Sequence, residues 1–78
     1  MVLFFERRVL MKNLRFLRER ANLSVKDVAE EMHVSQQAVG KWERNESFPR
    51  AEQLPKLADL YNCTIDALFG REDARETT

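Results

Sequence analysis

The chain has 78 residues, 44% of them hydrophobic and 33% charged, with only two glycines and two prolines. That length suits one domain, and the balance is that of a folded, largely helical chain rather than a disordered one. The formal net charge is zero but unevenly placed: ten Lys/Arg stand against seven Asp/Glu through residue 50, then three against six.

A basic part followed by an acidic end fits one surface facing a polyanion and another facing elsewhere. Cys63 and His33 are each alone of their type, which excludes an internal disulfide and any metal site built on paired Cys or His. No apolar stretch approaches the ~18 residues of a membrane span. The short apolar run at residues 2–5 has no small-residue cleavage site after it, so the expected location is the cytoplasm.

Residues 1–10, MVLFFERRVL, read as an N-terminal arm without a helix cap, either frayed or placed to bury Leu3, Phe4 and Phe5 against a partner chain. From Met11 the pattern turns helical: Leu10, Leu14, Leu17 and Ala21 form an apolar stripe at helical spacing. Asn22 ends this first helix, because asparagine tolerates the left-handed conformation that closes helices. Ser24 with Asp27 three residues on is an N-cap signal for a second helix, whose buried face is Val28, Ala29 and Met32. After the break at His33-Val34, Ser35 caps a third helix from Gln36 to Arg44. Val39 and Trp42 face inward there, and Asn45 closes it. Pro49 stands beside the start of a fourth helix, with Leu54, Leu57, Ala58 and Tyr61 on one face and Pro55 about one turn in, where it is expected to kink the helix. Thr64 caps a short fifth helix with Ile65, Leu68 and Phe69 buried and Gly70 as its stop. Residues 71–78 form a polar, flexible tail. The division is thus arm 1–10, domain 11–70, tail 71–78.

Two short capped helices joined by a three- or four-residue turn form a unit that lays its second helix in the major groove of DNA. Residues 25–44 make such a unit. Gln36 and Gln37 stand at the N-terminus of the third helix, and the glutamine amide matches the paired donor and acceptor on the edge of adenine. Lys41, one turn on, reaches guanine or a phosphate. Gly40 bears no side chain, which lets the helix approach closely despite a cost of about 1 kcal/mol for a mid-helix glycine. Ser35 at the helix start and Arg44, Ser47 and Arg50 around the following loop are candidates for the phosphate backbone.

The run LRERANLSVKDVAEEMHVSQQAVGKWERNESFP followed by LPKLADLYNCTIDALFG resembles the lambda-repressor-like (XRE-type) helix-turn-helix regulators over residues 11–70. The resemblance implies an all-α, compact five-helix DNA-binding domain with its helix-turn-helix at helices two and three. It also implies a homodimer on a palindromic double-stranded operator, acting in transcription as a repressor. It places Gln36, Gln37 and Lys41 at base-reading positions, and Ser24, Val25 and the stretch from Arg44 through Asn45 and Ser47 to Arg50 at phosphate-contacting ones. Arg18 and Glu43 match a partly buried ion pair between the first and third helices. Four residues depart from the pattern. Val25 replaces a polar phosphate contact, and His33 replaces the glycine of the turn. Arg50 replaces a serine cap of helix four, and Glu46 brings a negative charge into a loop that lies near phosphates.

The alternative is a protein-interaction module, an antitoxin or adaptor with the same fold. No nucleophile–base pair, metal set or phosphate loop is present, so the expectation is a non-enzyme with no catalytic residues, no cofactor and no small-molecule ligand.

Overall fold

The computed structural model describes Met11 and residues 13–70. The arm 1–10, including Leu10, and the tail 71–78 lie outside the described residues. Among those described there are five α-helices and no strand: α1 (Leu14–Arg20), α2 (Val25–Met32), α3 (Gln36–Glu43), α4 (Leu54–Leu60) and α5 (Ile65–Leu68), with a 3-10 turn at Ala51–Gln53 leading into α4. None is long and apolar enough to cross a membrane.

Local chemistry sets each start. Asp27 N–H donates to Ser24 Oγ at 3.0 Å and Ser24 N–H returns to Asp27 Oδ2 at 2.9 Å, a reciprocal capping box for α2. Ala38 N–H donates to Ser35 Oγ at 3.0 Å and Ala67 N–H to Thr64 Oγ1 at 3.1 Å, which cap α3 and α5.

The ends share one device. After α1, α2, α3 and α4 a single residue turns to positive φ: Asn22 at 62°, His33 at 60°, Asn45 at 61° and Asn62 at 58°. In each case its N–H and that of the next residue fold back onto the last-turn carbonyls, as in Asn22 N to Glu19 O at 2.9 Å and Leu23 N to Arg18 O at 3.1 Å. The residue that follows, Leu23, Val34 or Cys63, then packs against the core. After α3 that residue is Glu46 instead.

The core gathers Leu14 and Leu17 of α1, Val28, Ala29 and Met32 of α2, Val39 and Trp42 of α3, Leu57 and Ala58 of α4, Tyr61 just after it and Leu68 of α5. Met11 joins them, buried ahead of α1, its N–H donating to Asn45 Oδ1 at 2.9 Å. Burial holds the Tyr61 phenol above its ordinary value, with Glu43 adding to the shift.

Two expectations need correction. Pro55 does not kink α4: the helix begins at Leu54, so the proline occupies the first turn, where its missing N–H has no intrahelical partner to lose. Ile65 is not buried: it is 40% exposed on α5, whose four residues turn only Ala67 and Leu68 fully inward.

Candidate nucleic-acid interface

Helix α3 is held against the rest by its inner face. Val39 is fully buried and Trp42 nearly so, which settles Trp42 as a core residue. Beside them Arg18 of α1 grips Glu43. Arg18 Nε donates to Oε2 at 2.6 Å and Nη2 to Oε1 at 3.3 Å, while Nη1 donates to Leu23 O at 3.0 Å. Both side chains are 11% exposed. The hydrogen bond to Glu43 raises the Arg18 guanidinium above its already high value against the lowering effect of burial. The pair joins α1 to α3 as the resemblance implies, and fixes how α3 presents its other face.

That other face carries Gln36, Gln37, Lys41 and Arg44, all exposed. At 100° per residue, positions 37, 41 and 44 form one stripe, opposite the buried 39 and 42. Ser35, also exposed, begins the helix; its hydroxyl already accepts from Ala38 N–H, leaving its own proton to donate outward. Ser24, exposed at the start of α2, accepts from Asp27 N–H in the same way, but its hydroxyl is also in contact with the Asp27 carboxyl. Val25 lies half-buried against the core, so this position offers no polar group.

Asn45 and Ser47 are half-buried and Arg50 exposed in the loop after α3. Asn45 Oδ1 is taken by Met11 N–H, which leaves its amide protons as its donors. Arg50 does not leave its helix start uncapped: Gln53 Oε1 accepts from Arg50 N–H at 2.7 Å, while the exposed Arg50 side chain brings Nη1 to 4.0 Å from Glu52 Oε2.

Glu46 is where the sequence reading fell short. It is not a bare charge: Arg44 Nε donates to its Oε2 at 2.9 Å and Arg44 Nη2 to its Oε1 at 3.3 Å. Gly40 has a part in this too. A Cβ there would stand 3.1 Å from Arg44 Nη1 and 3.8 Å from its Cζ, so the guanidinium lies back over the glycine. The i,i+4 spacing of Gly40 and Arg44 was the available signal, together with an acid two residues beyond.

A family model described as helix-turn-helix matches residues 14–68. Three curated relatives align over about four-fifths of the chain. The "HTH-type transcriptional activator BcrR" of Enterococcus faecalis is 34% identical over 62 residues, 80% of this chain and 30% of its own. From Bacillus subtilis (strain 168), the "HTH-type transcriptional regulator ImmR" is 31% identical over 80% of this chain and 49% of its own, and the "HTH-type transcriptional regulator AnsR" is 33% identical over 78% and 53%. The chain thus spans between about a third and half the length of these relatives. No solved structure matches it. With its capped helix pair, its outward α3 and a family match over most of its length, the chain belongs to the helix-turn-helix family, of the lambda-repressor-like XRE type.

Proposed function

We propose that this chain binds duplex DNA sequence-specifically through α3 and acts as a transcriptional regulator, most simply a repressor that occludes its operator. The observation that carries the reading is the outward face of α3: Gln36, Gln37 and Lys41 are exposed, with no other described element over them. Gln36 and Gln37 read base edges, and Lys41 reads a guanine or a nearby phosphate. Ser24, Ser35, Asn45, Ser47 and Arg50 contact the backbone, through two cap hydroxyls, an amide, a further hydroxyl and a guanidinium. The names of the three relatives, an activator and two regulators, support the coarse role and leave its sign to experiment. A homodimer on a palindromic site completes the reading, and exposed Ile65 on α5 offers an apolar contact for it.

The test is a fluorescence-anisotropy titration of duplex DNA, first a random pool at low salt and then the sequence enriched from it. Gln37→Ala should weaken the enriched site by about 1–3 kcal/mol and relax one base position per half-site. Equal losses on enriched and random DNA would remove Gln37 from base reading. No binding at micromolar protein would favour the protein-interaction module, the reading to which the zero net charge lends its weight.

A further inference from the structure

The α3 face holds one arrangement that the proposed function does not use. Arg44 follows Gln37 and Lys41 on the same stripe, and its side chain runs back along the helix until the guanidinium covers Gly40. Glu46 grips it through Nε and Nη2, which are the side edge of the guanidinium. The end edge, made of the Nη1 protons and the outer Nη2 proton, faces away from the carboxylate. This end fork is the pair of parallel donors that fits O6 and N7 of guanine. Glu46 is able to do this because it stands where the other helix ends place an apolar residue on the core. Each partner stabilises the charged form of the other: the bond to Glu46 raises Arg44, and the bond to Arg44 lowers Glu46, with Lys41 adding to the lowering.

We infer that Arg44 is a guanine-reading residue on the groove face of α3, with Glu46 as the positioning residue that fixes its fork and Gly40 as the space it rests in. The inference deepens the DNA-binding reading and rests on it. A phosphate contact draws on net positive charge, and here the carboxylate cancels that charge. Hydrogen-bond donation to a base edge needs orientation, which the carboxylate supplies. An arginine meant for phosphate gains nothing from such a partner.

The experiment is enrichment from a randomised duplex pool with the full chain, alongside Arg44→Ala, Arg44→Lys, Glu46→Gln and Gly40→Ala, each first checked for a folded melting transition by circular dichroism. The wild-type motif should contain a guanine column. Arg44→Ala and Arg44→Lys should both erase it and weaken the enriched site roughly tenfold, since a lysine cannot fork. Arg44→Ala should leave the slope of log K against log salt unchanged, where loss of a phosphate contact would reduce it by about 0.9. Glu46→Gln should blur the guanine column while strengthening binding to unselected DNA. Gly40→Ala should raise the melting temperature, because alanine favours the helix, and still blur the column. A motif that lacks the guanine, or that survives Arg44→Ala with a reduced salt slope, overturns the assignment and makes Arg44 a backbone contact. If the wild-type chain enriches no sequence at all, the DNA-reading function falls with it.

Discussion

Arg18 and Glu43 are a guanidinium and a carboxylate taken largely out of water and matched donor for acceptor. Desolvation offsets most of the gain from such a pair, so its worth emerges when one partner is removed. Glu43→Ala should cost about 3 kcal/mol in urea denaturation, because it strands a buried cation, whereas the double change Arg18→Met with Glu43→Leu should come out near neutral. A similar loss in both variants would mean that the charges themselves sustain the fold. His33 poses the opposite case. It holds φ 60° and ψ 44° at the end of α2, a conformation costing a side chain about 1–2 kcal/mol that glycine escapes. After the greater chain entropy of glycine is allowed for, His33→Gly should stabilise by about 0.5–1 kcal/mol. For a domain this small that is a rise in Tm of roughly 4 °C, readable in a thermal melt. The side chain is exposed, so no packing is lost in exchange.

Helix boundaries here are local decisions, and one of them is pH-sensitive. The Asp27 carboxyl accepts from the Ser24 backbone N–H and is in contact with its hydroxyl, and these bonds, the backbone one first, hold it below its ordinary value. A carboxyl whose value is lowered in the folded state contributes stability that is complete above its unfolded value and lost as pH falls through the folded one. The difference in Tm between wild type and Asp27→Asn should therefore be widest at neutral pH and close on acidification below the usual carboxylate range. A gap that stays constant with pH would show that the charge on Asp27 plays no part in the cap. The same locality explains why so much was legible from residue order. Ser24, Ser35 and Thr64 announce the starts of α2, α3 and α5, and Asn22, His33 and Asn45 the ends of α1, α2 and α3, because caps and left-handed closures involve neighbours within five positions. The outward placement of Gln36, Gln37 and Lys41 follows from helical spacing once Val39 and Trp42 are assigned inward. What was not legible depends on length or on space. Pro55 reads as a kink until the start at Leu54 is known, and Ile65 reads as core until α5 proves too short to turn it in. The Arg44–Glu46 clasp is hinted at by the i,i+4 spacing of Gly40 and Arg44, but it also needs the fold-back of residue 46 onto Lys41 O at 2.8 Å, which helical spacing does not contain.

At the scale of the whole molecule, α2 and α3 pack on each other and α1 and α4 pack against them, so α3 is backed by the core rather than carried on a loop. Among the described residues, the hydrogen bonds that join distant parts of the chain run from Arg18 to Glu43 across 25 positions and from Met11 N–H to Asn45 across 34. Both arrive at α3 or the loop beyond it, which ties the frame of the molecule to the segment proposed to meet DNA. The four helix ends, by contrast, close through bonds between near neighbours. Such a topology has little loop entropy to overcome before its first favourable contacts form, and helical chains with mostly local pairing fold in microseconds to milliseconds. Refolding from urea followed by Trp42 fluorescence should accordingly be a single phase on the order of milliseconds or faster. A phase lasting seconds would mean that the long-range clasp to Asn45 or the Arg18–Glu43 bridge limits the rate. Repeated at the ends of α1 to α4, the left-handed turn is thus a kinetic asset: it lets a nascent polypeptide reach its working shape almost as fast as its residues become available.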